Sequence, residues 1–124
     1  MEKIPDELQS LLTMIASDPD ILAVVVFGSY NRQDLYSRDI DICLFEYPGQ
    51  LTLQKELEYR TRFTSPLDIH FFSRMPLYIQ AEIMSQGSIL VNKDFEKLFD
   101  IYHAAMKEYR YFLPHYETFL EGSN

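Results

Sequence analysis

Residues 26–45 read V-F-G-S-Y-N-R-Q-D-L-Y-S-R-D-I-D-I-C-L-F, and they decide how the rest of the chain is read. They begin at the end of Ile21 to Phe27, a continuous apolar run rich in Val. Such a run fits a strand buried on both faces. Gly28 stops it. Ser29 to Gln33 is short and polar and suits the start of a helix. A second apolar run, Ile40 to Phe45, is broken only by Asp41, and Pro48-Gly49 closes it as a turn. Strand side chains alternate, so Asp39 and Asp41 share one side with Cys43 and Phe45 beyond them, while Ile40, Ile42 and Leu44 face the other side. Carboxylates two residues apart on a strand are separated by about 6–7 Å, close enough to share or bridge hard divalent cations. Gly28 lets backbone approach a ligand, helix-start N–H groups bind phosphate, and the Ser29 hydroxyl adds a donor.

Working outward, Ile4, Leu8, Leu11, Leu12 and Ile15 fall on one face of a helix over 5–17, with Pro5 at its first position and Asp6 and Glu7 at its positive end. Residues 52–63 predict a surface helix through Leu53, Leu57 and Phe63. Leu67 to Phe72 reads as a third strand. Asp68 interrupts it as Asp41 interrupts the second, and a lone carboxylate in a buried strand is costly unless paired or metal-bound. Pro76 to Gln86 reads as a helix with Gly87 as its C′ residue. Ser88 to Val91 gives a short fourth strand. From Asp94 the pattern is helical to about Phe112, where Leu113-Pro114 predicts a kink or break, and a last helical piece covers His115 to Glu121. The order is α-β-(α)-β-α-β-α-β-α, the pattern of one α/β domain over 1–124.

Composition narrows the function. Apolar residues are 47% and charged residues 24% of 124, the profile of an ordinary soluble domain. The formal net charge of −8 argues against non-specific binding to a nucleic acid backbone, and it suits a basic protein partner or a nucleotide held through metal. Cys43 is the one cysteine, so no intramolecular disulfide forms. No signal peptide or membrane span is legible, which gives the expectation of a cytoplasmic protein.

Gly28-Ser29, then Asp39-x-Asp41 on the next strand, then Asp68 on the following one, is a specific arrangement. The quoted stretch resembles the signature of the polymerase-β-type nucleotidyltransferase superfamily. Within it the chain is most similar to the minimal nucleotidyltransferases (MNT). The stretch 76–94, P-L-Y-I-Q-A-E-I-M-S-Q-G-S-I-L-V-N-K-D, is similar to the family's helix–glycine–strand segment. The aromatic closing helix is similar to that of MNT antitoxins paired with HEPN ribonuclease toxins. The resemblance implies a polymerase-β-like α/β (α+β) fold, a small mixed sheet of about four strands with flanking helices and a long C-terminal helix. It implies that Gly28, Ser29 and Arg32 hold the nucleotide, and that Asp39, Asp41 and Asp68 are the catalytic, metal-binding triad. Two Mg²⁺ ions and ATP follow as cofactor and substrate, and a HEPN toxin as partner in a hetero-oligomer. Where the family usually has an aromatic and then Ala-Arg-Gly-Glu after Gly-Ser, this chain has Tyr30, Asn31, Arg32, Gln33 and Asp34.

The chemistry so implied is in-line attack on the α-phosphate of ATP with loss of pyrophosphate. Asp39 and Asp41 share metal, and Asp68 binds the second ion and accepts the acceptor's proton. The principal reading is an antitoxin that transfers AMP to a tyrosine of its toxin and so neutralises it. The alternatives are an antitoxin that acts by contact alone, and a transferase for a small-molecule acceptor. His70, on the face of Asp68, is read as packed and hydrogen-bonded in preference to touching substrate. Cys43 is read as a small buried residue, Arg60, Arg62 and Arg74 as solvated, and His103 and His115 as solvent- or partner-facing. Phe95, Leu98, Tyr102, Ala105, Tyr109, Phe112, Tyr116 and Phe119 recur at alternating spacings of three and four, a helical seam. Its first half is expected on the chain's own sheet, and 95–121 as a whole is the expected partner segment, Tyr109 to Phe119 above all.

Overall fold

The computed structural model describes residues 5–28 and 39–122, with side chains to Phe112 and at Pro114. Four strands form one mixed sheet: β1 (Ile21–Phe27), β2 (Ile40–Glu46), β3 (Leu67–Phe71) and β4 (Ser88–Asn92), in spatial order β3-β2-β1-β4. β1 is antiparallel to both β2 and β4, while β2 and β3 run parallel through the crossover helix α2 (Leu53–Arg62). The remaining helices are α1 (Asp6–Ala16), α3 (Leu77–Gln86) and α4 (Phe95–Gly122).

The sheet lies between two helical layers. On one face Leu8, Leu11 and Ile15 of α1 and Tyr59 of α2 pack against Val24, Val26, Ile42, Leu44 and Ile69. On the other, Ile83 of α3 with Leu98 and Ala105 of α4 pack against Ala23, Val25, Cys43 and Phe45. Both central strands are therefore covered on both sides. That is why β1 is buried at every position and reads as an unbroken apolar run. The expected fold class stands, with four strands and a long last helix.

Four local expectations change. The third strand stops at Phe71, because Phe72–Arg74 turns into a short 3₁₀ helix. Asp68 is not buried. β3 is an edge strand, and the side chain is 54% exposed. Gly87 does end α3, but with φ −74 and ψ 155, an extended conformation open to any residue. Glycine is needed there for space, since a Cβ would sit 2.5 Å from both the Ile83 carbonyl and Val25 Cγ1. Finally, α4 runs through Pro114 without ending. A proline removes one N–H donor and crowds the preceding turn, which bends a helix more readily than it stops one when good formers flank it.

Along α4 the seam divides. Leu98 and Ala105 are buried and Tyr102 stacks on Phe72 and tilts against Phe45, whereas Phe95 and Phe112 are exposed. The sheet thus covers the middle of the seam and leaves its first residue outside, contrary to the expectation for the whole first half. Tyr116 and Phe119 lie outside the described side chains.

Candidate active site

The parallel register of β2 and β3 sets Asp41 directly beside Asp68, and Cys43 beside His70. Alternation then puts Asp41, Asp68 and His70 on the sheet face that carries α3 and α4. They lie where β1 ends and β2 and β3 begin, and Phe27, the last residue of β1, pairs with Asp41. One side-chain donor atom from each of Asp41, Asp68 and His70 falls within 4.8 Å of the others. His70 Nε2 is 3.0 Å from Asp68 Oδ2 and 3.6 Å from Asp41 Oδ1. The edge of the Phe27–His70 ring pair, with centroids 5.7 Å apart, fixes the imidazole from the side.

Gly28 is required twice over. Its φ is +77, the left-handed region that L side chains resist, and a Cβ there would collide with Asp41 Oδ2. The turn after β1 therefore lays bare backbone directly on a carboxylate oxygen of the cluster.

Electrostatics single out Asp41. Burial pushes its carboxyl above the usual carboxylate range, the neighbouring Asp68 charge pushes the same way, and His70 opposes both. A carboxylate half-sunk beside another carboxylate is poised to gain from a cation. Two carboxylates and an imidazole converging on one point are a fitting donor set for a divalent ion.

The structure thus brings Asp41 and Asp68 together as expected and adds His70. Asp39 is exposed just before β2 and is not one of the three converging residues. Ser29 and Arg32, together with Tyr30, Asn31, Gln33 and Asp34, lie outside the described residues. His70 was readable in sequence only as a residue two positions after Asp68. Nothing in the order of residues revealed that the parallel register would carry it to within reach of Asp41.

Other candidates are engaged elsewhere. Arg60 and Arg74 both reach Glu56, at 3.7 and 3.3 Å, and Arg62 lies over the Phe63 ring. Cys43 is buried, and burial and the Glu46 charge push its thiol well up, so it is no nucleophile. His103 stacks on Phe99 on the outer side of α4.

Comparison with known proteins places this geometry. A family described as polymerase beta, nucleotidyltransferase, matches residues 9–96. An inferred protein adenylyltransferase of Methanocaldococcus jannaschii is 29% identical over 77 residues, 61% of this chain and 60% of that protein. The chain thus spans about three-fifths of the length of that curated relative. Among solved structures, a toxin–antitoxin complex with AMP-PNP contains a chain of similar fold, with a TM-score of 0.76 at 14% identity, covering 96% of this chain and 98% of that one. The complex of a tri-AMPylated Shewanella oneidensis HEPN toxin with its MNT antitoxin gives a TM-score of 0.72 at 15% identity, covering 94% of each chain. These likenesses carry the fold.

Proposed function

The chain belongs to the polymerase-beta nucleotidyltransferase family, and on that premise we propose that it is an antitoxin that transfers AMP from ATP to a tyrosine hydroxyl of a HEPN-type toxin. The observation that carries the reading is the convergence of Asp41, Asp68 and His70 against the bare backbone of Gly28. The wider setting supports it: chains of the same fold occur in a toxin–antitoxin complex with AMP-PNP and in one with an AMPylated HEPN toxin.

In this reading Asp41 and Asp68, together with Asp39, would hold Mg²⁺, the hard cation that oxygen donors and phosphates suit. When bound, the metal would supply charge neutralisation at the phosphates and at the attacking oxygen. Gly28 and Ser29 present donors to the outer phosphates, and Arg32 adds charge to them. The tyrosine oxygen bonds to the α-phosphorus as the bond to the bridging oxygen breaks and pyrophosphate leaves. The hydroxyl proton passes to the Asp68 carboxylate. His70, bonded to Asp68, is a positioning residue that holds that carboxylate turned toward Asp41.

The partner surface assigned to this reading is 95–121. Phe95, Phe99, Tyr111 and Phe112 are 74%, 58%, 69% and 45% exposed, an apolar load on one helix that water alone does not favour. No helix among the described residues is long and apolar enough to cross a membrane. The test is intact-mass measurement of the co-expressed toxin. The expected result is AMP adducts that disappear with Asp41→Asn; a tight, unmodified complex would replace transfer by neutralisation through contact.

A further inference from the structure

A second acidic site lies at the opposite end of β2 from Asp41. Glu46, the last residue of the strand, is only 9% exposed, and its Oε2 is buried with no hydrogen-bond partner among the described residues. A buried carboxylate oxygen only accepts, so leaving it unmatched opposes folding unless something else donates to it. Glu46 also lines a cavity of about 240 Å³. The walls are the rings of Phe45 and Phe72, stacked at 4.3 Å, with Pro48 and Ile101, and the Ser73 side chain adds a polar edge. Carboxylate, aromatic faces and an apolar sleeve together are the surroundings that a basic side chain on a methylene stem prefers.

We propose that the Glu46 cavity is a receptor for one basic side chain, an arginine foremost, of a partner protein. Arginine suits the site because its flat guanidinium pairs with a carboxylate while its methylene stem lies along apolar walls. The net charge of −8 favours a basic partner. A protein is favoured over a free small cation by what lies next door. Tyr102, which contacts both Phe45 and Phe72, also lines a groove of about 390 Å³ with Phe99, His103 and Met106, at whose far end Lys107 and Arg110 would turn a partner's own basic residue away from the groove and toward Glu46. A partner segment lying in that groove would have the Glu46 cavity beside it for its basic residue. The inference is independent of the transfer chemistry, since no residue of the Asp41 cluster takes part.

The experiment uses the whole chain, ¹⁵N-labelled, titrated with N-acetyl-arginine methylamide, with the citrulline analogue and spermidine as controls. The expected result is saturable shifts of the Glu46, Ser73 and Ile101 amides with the arginine compound, with affinity roughly ten-fold weaker in Glu46→Gln and no response to citrulline. Equal response to citrulline, undiminished response in the variant, or binding of spermidine alone would overturn the proposal. Thermal melting of Glu46→Gln separates a merely structural role. A receptor carboxylate whose buried oxygen has no partner among the described residues leaves the melting temperature equal or higher on replacement, and a clear fall would count against it.

Discussion

The two ends of the central sheet carry acidic clusters that look alike in composition and differ in physics. Where β1 starts, Asp18 is buried and fully engaged. Tyr59 Oη donates to it at 2.6 Å, Lys55 Nζ at 2.9 Å to each oxygen, and the Asp20 amide at 2.9 Å. Lys93 closes the same corner, donating to the carbonyls of Ile15 and Asp18 at the end of α1. Burial works to raise the Asp18 carboxyl, but these hydrogen bonds and the Lys55 charge outweigh it and hold it below the usual range. Where β1 ends, Asp41 meets a second carboxylate and one imidazole, and its carboxyl is raised. The contrast teaches what a site needs. Asp18 has spent its acceptor capacity on tying α1, α2 and the β4–α4 turn together, so it is structural. Asp41 is held beside groups that leave its charge under-compensated, so it has affinity left for a cation.

Substitutions break the comparison from either side. The largest effect is expected from Asp41→Asn. AMP transfer, followed with α-labelled ATP, should fall by roughly 10³-fold, the scale of losing a group that stabilises transition-state charge. The apo protein should melt at an equal or higher temperature, because an unfavourably placed charge is gone. Transfer at the parental rate would remove Asp41 from the site. Asp18→Asn should do the reverse. It removes the charge and one of the two oxygens that Lys55 and Tyr59 share, leaving Asp20 at 3.0 Å as the one carboxylate on Lys55, and should cost about 2–3 kcal/mol in urea unfolding, allowing for partial exposure of Lys55, while the folded fraction keeps its transfer rate.

Smaller effects sharpen the contrast. Gly28→Ala forces a strained φ and pushes the Asp41 carboxylate aside. About 1–2 kcal/mol of stability and a clear loss of transfer are expected, from one chemical melt and one labelling assay. Tyr59→Phe removes one donor to Asp18 and should cost about 1–2 kcal/mol with no change in transfer.

The pH dependence has opposite signs at the two ends. Asp18, with its folded pKa depressed, gives stability that is present above the ordinary carboxylate range and is lost as pH falls through the lowered value. Asp41, with its folded pKa raised, gives stability that is present below that range and is lost as pH rises through the raised value. Melting curves of the metal-free protein between acid and neutral pH should therefore steepen in acid for Asp41→Asn and flatten there for Asp18→Asn. Parallel curves for the two variants would show the clusters to be equivalent after all.

Much of the fold is legible because its signals are local. The Val-rich run of β1, the alternation along β2 and the Pro-Gly turn after it need no knowledge of distant residues. The helix of Leu8, Leu11 and Ile15 is equally plain, since periodicity and burial agree on the same face. The misreadings came where neighbours decide. Gly87 ends α3 as read, but as an extended residue squeezed between Val25 and the Ile83 carbonyl. Pro114, read as a kink or a break, lies inside α4, so the break is excluded. Asp68 looked buried because β3 is apolar, yet the strand is at an edge.

The sequence by itself determined the Asp-x-Asp pattern on one strand, the acidic residue on the next, and the glycine that ends the first apolar run, because residue type and period-two alternation are written in order along the chain. Only the tertiary structure decided that His70 joins Asp41 and Asp68, that Asp18 does not behave as they do, and that Glu46 Oε2 is left without a donor among the described residues. Each of those depends on register and burial between strands and helices far apart in the chain. The charge state and remaining valence of a carboxylate are set by what packs around it.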